Sequence, residues 1–192
     1  MIDPTKTALR NTMKQIRSKI SPLYCDTASD QVCTRIRSLE HYHDAQRIAL
    51  YYAVNGEIDL HTLWKNATLQ GKNCYFPILN EDQLNLSFLP ATLETPFKKN
   101  HYGIPEPDVS HDLIVPIEEF YLVLIPLVAF DVHCNRLGMG AGYYDRTFKG
   151  KEMSTLFGVA YQFQRVDSIE PQPWDIQLDA VITQRAIYWH NE

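Results

Sequence analysis

Apolar side chains first recur along the chain at helical spacing. Leu9, Met13, Ile16 and Ile20 return every three or four residues, which marks one apolar face of an amphipathic helix. Asp3-Pro4 ahead of them is a start signal, because a short carboxylate caps free N–H groups and proline suits the first helical position. Ser21-Pro22 repeats that signal, and Ala28, Val32, Ile36 and Leu39 give a second helix its buried stripe. The pattern then changes. Residues 47–53 (RIALYYA) and 73–79 are short apolar runs that suit buried strands. Between them, Asn55-Gly56 predicts a turn, and residues 58–70 a helix closed by Gly71.

Leu84, Leu86 and Phe88 alternate with polar residues, as in a half-exposed strand. Residues 101–107 (HYGIPEP) read as a proline- and glycine-rich loop. Residues 121–130 are strongly apolar and lead straight into a glycine-rich segment, and residues 156–161, 180–183 and 185–189 are further strand-like runs. Helices first, then strands alternating with helical stretches, predict an α/β domain with a largely parallel central sheet. No repeat, linker or low-complexity segment divides the 192 residues, so residues 1–192 are expected to form one domain.

Composition narrows the function. The 45% hydrophobic and 21% charged content are those of an ordinary globular protein. A net charge of -5 argues against a broad nucleic-acid surface, although Lys6, Arg10, Lys14, Arg17 and Lys19 form a local basic cluster suited to a small anion. No apolar run approaches the roughly 20 residues needed to span a bilayer, and the first ten residues lack the apolar core of a signal peptide. Cys25, Cys33, Cys74 and Cys134 are scattered, as expected for free thiols in a reducing compartment. The expectation is a cytoplasmic monomer with no membrane or nucleic-acid partner. His41-x-His43 and His133-Cys134 lack the second pair that a transition-metal site needs.

Candidate chemistry centres on residues 136–145 (RLGMGAGYYD). Apolar strand, turn, glycines and then a helix is the order in which phosphate sites are commonly built. Gly138, Gly140 and Gly142 can take positive φ and let backbone N–H groups approach an anion. Arg136 adds a planar charged fork, and Asp145 a carboxylate suited to a magnesium ion bridging phosphates, with Asp179 as a second acidic contributor. The segment is neither a Walker A loop nor a dinucleotide fingerprint, since no Gly-Lys-Ser/Thr follows and the spacing is G-x-G-x-G. From pattern alone it also reads as a tight turn, and Lys6 and Arg10 as the solvated face of a helix.

The segment 128–146 (VAFDVHCNRLGMGAGYYDR) resembles the most recognisable block of the 5-formyltetrahydrofolate cyclo-ligase family. Further matches follow the family's order: Lys6-x-x-x-Arg10, residues 52–57 (YAVNGE), residues 103–107 (GIPEP) and the tail from Gly158 to Thr183. The resemblance implies a single-domain, Rossmann-like, three-layer α/β fold. It also implies a reaction of 5-formyltetrahydrofolate with ATP, requiring Mg²⁺, that gives 5,10-methenyltetrahydrofolate, ADP and phosphate. By the same resemblance Lys6, Arg10, Arg136, Leu137, Gly138, Met139, Gly140, Ala141, Gly142, Tyr143 and Tyr144 stand at ATP-contact positions. Tyr52, Glu57, Met139, Gly140, Ala141, Gly142 and Tyr143 stand at folate-contact positions, and Asp145 and Asp179 at magnesium positions. Arg136 and Tyr143 are the expected catalytic pair. The sequence departs from the family at Met139 and Ala141, where Arg and Gly or Lys are common, so no charged side chain is expected there.

Glu57 is expected to accept hydrogen bonds from the pterin ring, since an ionised carboxylate only accepts, and Tyr143 to stack on it. Two other classes fit parts of the pattern: a sugar-phosphate isomerase on a related scaffold, and a non-catalytic nucleotide- or folate-binding module.

Overall fold

The computed structural model describes residues 3–80, 84–150 and 154–190. Asp3 Oδ1 accepts from the N–H groups of Thr5 (2.8 Å) and Lys6 (3.2 Å) at the start of α1 (Pro4–Arg17). Ser21 Oγ accepts from Tyr24 N–H at the start of α2 (Pro22–Arg37). Each cap satisfies donors that a first turn leaves without intrahelical partners. A short α3 (Glu40–Asp44) leads into β1 (Arg47–Ala49), α4 (His61–Leu69), β2 (Asn73–Leu79) and β3 (Leu86–Pro90). A ribbon of β4 (Phe97–Lys99) and β5 (Pro105–Pro107) follows, then β6 (Leu122–Pro126) and a second ribbon of β7 (Ala129–Phe130) and β8 (Arg136–Leu137). The chain ends through α5 (Tyr143–Phe148), β9 (Thr155–Val159), β10 (Ala180–Ile182) and β11 (Ile187–Trp189).

Seven strands pair in the order β11-β10-β9-β6-β1-β2-β3. The inner pairs are parallel, and the edge strands β11 and β3 run antiparallel to their neighbours. A parallel sheet has to be covered on both faces, and β6 shows how. Leu122 and Leu124 join one core with Val32 and Ile36 of α2 and Leu63 and Trp64 of α4. Val123 and Ile125 join the other, with Phe88, Phe120, Phe130 and Phe148. The predicted three-layer, largely parallel α/β fold is therefore present.

Several elements differ from their sequence pattern, and each difference has a local cause. On α1, Met13 is buried, but the burial continues to Arg17, 2% exposed, while Ile16 is 38% exposed. The helix thus turns toward the i+4 continuation of Met13. The aromatic run 47–53 leaves the sheet early. Leu50 N–H still bonds Tyr75 O at 2.8 Å, but Tyr51 then gives its hydroxyl to Ile58 O at 2.8 Å, and Asn55 (φ 53°) and Gly56 (φ 71°) reverse the chain. The next helix starts at His61 rather than at 58: Asp59 Oδ1 takes the His61 N–H at 2.8 Å, and Leu60 between them (φ -96°, ψ 10°) lies outside the helix. Within 101–107 lies strand β5. Asn100 Oδ1 ties Tyr102 and Ile104 N–H together, and the two prolines sit in a two-stranded ribbon, where a missing N–H is tolerated. The apolar run 121–130 breaks into β6 and β7, with the Asp131 carboxylate fixing the turn to β8 through His133 and Asn135 N–H.

Candidate functional site

In this sheet the chain steps from β1 to one side, into β2, and later to the other side, into β6. Strand order therefore reverses between β1 and β6, and ligands of open α/β sheets bind in the crevice outside the strand ends at such a point. The chain leaving β1 carries Tyr51, Tyr52 and Glu57, and the chain leaving β6 carries the second ribbon and the glycine-rich loop. Topology thus gathers segments far apart in sequence.

The loop after β8 is held by its carbonyls. Arg10 Nε of α1 donates to Gly138 O at 2.9 Å, Arg146 Nη1 to Ala141 O at 2.8 Å, and Arg146 N–H to Gly142 O at 3.0 Å. In contrast, the backbone N–H groups of residues 138–142 donate to no partner among the described residues. A run of five open donors is what an anion with several oxygens requires. Gly140 (φ 107°) and Gly142 (φ 69°) make the conformation possible, and a Cβ at Gly142 would lie 2.8 Å from Arg146 Nη1. The Arg10 guanidinium lies beside Gly140, within 3.5 Å of where its Cβ would stand. Lys6, one turn earlier, gives its ammonium to Glu170 O at 2.9 Å.

Arg136 anchors the base of the loop. Its side chain is 5% exposed; Nη2 meets Asp145 Oδ1 at 2.5 Å and Nη1 donates to Ile176 O at 2.7 Å. Asp145 Oδ1 also accepts from Ile176 N–H at 3.1 Å, and Oδ2 has no hydrogen-bond partner among the described residues. Asp179 is exposed, and its Oδ2 accepts from Leu156 N–H at 2.7 Å. Among the described residues, no three His, Cys, Asp or Glu side chains form a metal cluster. Magnesium does not need one, because it takes one or two carboxylates and completes its shell with phosphate and water. Asp145 Oδ2 fits that share, and Asp179, just before β10, keeps its Oδ1 without a hydrogen-bond partner among the described residues.

Across the crevice, Glu57 is held in a nearly closed site. Its Oε2 accepts from Val54 N–H at 3.1 Å, and its Oε1 lies 3.6 Å from Arg17 Nη1, with the side chains 9% and 1% exposed. Burial pushes the Glu57 carboxyl pKa up, against the opposing pull of the Val54 N–H and Arg17. The phenols of Tyr51, Tyr144 and Tyr161 are pushed above their ordinary range by burial, so all three stay neutral. Tyr161 OH also reaches Glu57 O at 3.4 Å.

The predicted folate positions fall in two places. Tyr143 donates its hydroxyl to Tyr102 at 3.2 Å, linking the glycine-rich loop to the β4–β5 ribbon, under the Arg146 guanidinium. Tyr52, 41% exposed, packs on Phe97 and Phe76 in a separate aromatic group with Trp64. Leu137 is buried, whereas Met139 is 45% exposed and Ala141 also faces solvent. Arg17 and Tyr102 were not singled out by sequence reasoning as site residues. Arg17 carried a faint signal, since it shares a helix face with Lys6 and Arg10. His41 packs edge-on against Phe157 instead of facing a metal, and all four cysteines are free. No helix among the described residues is long and apolar enough to cross a membrane.

Comparison with known proteins adds to this geometry. The sequence model described as the 5-formyltetrahydrofolate cyclo-ligase family matches residues 2–184. A protein of Haemophilus influenzae named 5-formyltetrahydrofolate cyclo-ligase is 35% identical, covering 88% of this chain and 92% of its own. The one of that name from Escherichia coli is 30% identical, covering 92% and 98%. Among solved structures, 5,10-methenyltetrahydrofolate synthetase of Aquifex aeolicus superposes with a TM-score of 0.85 at 28% identity, covering 97% of this chain and 93% of its own.

Proposed function

The chain belongs to the 5-formyltetrahydrofolate cyclo-ligase family, and from that premise we propose that it converts 5-formyltetrahydrofolate to 5,10-methenyltetrahydrofolate, consuming ATP with Mg²⁺ and releasing ADP and phosphate. The observation that carries the ATP half of this reading is the row of N–H donors at 138–142 that meet no partner among the described residues, while the carbonyls of Gly138, Ala141 and Gly142 are already held by Arg10 and Arg146.

An N-formyl group is an amide, so its carbon is a poor electrophile and its oxygen a poor leaving group. Moving the γ-phosphoryl group of ATP to the formyl oxygen, with ADP departing, gives an iminium phosphate. N10 of the folate then attacks the formyl carbon and loses its proton, and the C–O bond breaks as phosphate leaves with the oxygen. Such a reaction asks the protein for position and charge rather than covalent work.

The loop N–H groups receive phosphate oxygens, and Arg10, with one N–H spent on Gly138, turns the rest of its fork toward them. Arg136 contributes its charge from below while Asp145 and Ile176 hold it still. Asp145 and Asp179 would hold the magnesium ion, which would neutralise charge on the phosphates. Glu57 accepts N–H donors from the pterin, and Tyr143 and Tyr102 offer ring faces beside it. Helix α1 sets the spacing. Arg10 at the loop and Arg17 at Glu57 are seven residues apart, about 10 Å along the axis, a span that a pterin ring with its formyl group can bridge.

The test is to mix the purified protein with 5-formyltetrahydrofolate, ATP and Mg²⁺ and follow the near-ultraviolet absorbance of the methenyl product. Product that requires both ATP and metal is the expected outcome. Binding of both substrates without product would instead indicate a storage or sensing module.

A further inference from the structure

Arg17 is the least expected side chain in the molecule. It is 2% exposed, and Nε, Nη1 and Nη2 are all shut off from solvent without a hydrogen-bond partner among the described residues. A buried guanidinium normally spends its donors, because an unmet charged donor costs several kcal/mol. Here the nearest anion, Glu57 Oε1, stands at 3.6 Å, an ion-pair distance too long for a hydrogen bond. The arrangement is nonetheless built in. Gly56, at φ 71°, lets the loop come so near α1 that a Cβ there would lie 3.3 Å from Arg17 O, and this brings the next residue, Glu57, against the arginine.

We propose that Arg17 is a positioning residue for folate recognition: its enclosed guanidinium keeps the Glu57 carboxylate ionised and oriented toward the N–H donors of the pterin, without itself touching substrate. This rests on the reading of Glu57 as the pterin acceptor. The groups around Glu57 come from every neighbouring element: Arg17 from α1, Tyr51 from the chain after β1, Tyr144 from α5 beside Arg136, and Tyr161 from the chain after β9, with Cys25 and Tyr24 of α2 against it. The phenols are neutral, so Arg17 is the cation in contact with the carboxylate. Burial raises the carboxyl pKa and Arg17 lowers it. Removing the arginine therefore raises it further, and a protonated carboxyl accepts less well from the pterin donors.

The experiment compares Arg17→Met, Arg17→Lys and Glu57→Gln with the parent enzyme, measuring kcat and the KM of each substrate from pH 5.5 to 9. At pH values below the parent's own midpoint, Arg17→Met should raise the folate KM by up to about tenfold for each unit by which the carboxyl shifts, with recovery at higher pH. The KM of ATP should hold, kcat should change far less than the folate KM, and Arg17→Lys should bring the midpoint back toward that of the parent. A loss of equal size at every pH, or one carried by kcat or by the KM of ATP, overturns the proposal. If Arg17→Met does not fold, Arg17→Gln takes its place, and an unmoved pH midpoint in that variant counts against the proposal. An unchanged folate KM in Glu57→Gln would sink the reading of Glu57, and the role of Arg17 with it. A raised KM in Glu57→Gln beside an unshifted profile in the Arg17 variants would sink the role of Arg17 alone.

Discussion

Two arginine–carboxylate pairs flank the same crevice and are built differently. Arg136 and Asp145 close on each other and on Ile176, so Asp145 Oδ1 takes two donors and both terminal nitrogens of the arginine are used. Arg17 and Glu57 are as deeply enclosed, yet among the described residues the arginine's side chain makes no hydrogen bond and the glutamate's accepts one, from Val54. A pair that satisfies itself is scaffold, and it fixes the base of the phosphate loop. A pair left incomplete holds charge in reserve for a ligand with donors of its own. The cost of each follows, because a buried charge whose neighbours are unmet stabilises little by itself.

Breaking the closed pair should have the largest effect. Arg136→Ala strands the half-buried Asp145 and Ile176 carbonyl, so unfolding in urea should show a loss of up to about 3 kcal/mol, and turnover should fall more than folate affinity. An unchanged urea midpoint would mean that the pair is not scaffold. Next comes Glu57→Ala, which should raise the folate KM on the order of tenfold to a hundredfold, from the loss of hydrogen bonds to a charged acceptor worth about 1.5–3 kcal/mol. Turnover at saturation should be spared, and the reverse split would exchange the roles of the two pairs.

Replacing the whole open pair sharpens the contrast further. Arg17→Met/Glu57→Gln should be no less stable than the parent, and up to about 1–4 kcal/mol more stable, while losing folate affinity. The sign with pH follows from Glu57. Its folded pKa lies above the ordinary 4.5, so its contribution is fully present below pH 4.5 and is lost as pH rises through the folded value. The advantage of the double variant should therefore grow from pH 4 to pH 7 in thermal melts; an advantage that shrinks over that window would contradict the burial of Glu57. The smallest effect belongs to Tyr143→Phe, which removes one surface hydrogen bond to Tyr102. Stability should stay within about 0.5 kcal/mol, and a larger change in the melt would mark the two tyrosines as a structural strut.

The reach of the sequence follows the same divide. Helix caps at Asp3 and Ser21, the bounds of β2, and the turn at Asn55-Gly56 were legible because each depends on neighbouring residues. So was the glycine-rich loop, whose positive φ values depend on glycine itself at 140 and 142. The early end of β1 was not legible, since Tyr51 leaves the sheet to reach Ile58, a contact that no period encodes. β5 was hidden by its prolines, and the ribbon is made by Asn100. Arg17 was legible only as one of a basic cluster suited to a small anion, because hydrophobic periodicity assigns charge to solvent, and the approach of Glu57, forty residues away in the chain, puts it inside. For the same reason Arg136 read as a phosphate fork, whereas its nearest partners, Asp145 and Ile176, come from the protein.

Helix α1 touches the glycine-rich loop through Arg10 and Glu57 through Arg17. As one stiff rod, it cannot be seated for one substrate and loose for the other. Under the proposed function, ATP and folate share a thermodynamic cycle through it: whatever factor the first ligand adds to the affinity of the second, the second returns to the first. Seating the helix is a conformational cost met by whichever ligand arrives first, so synergy between the substrates is available without any contact between them.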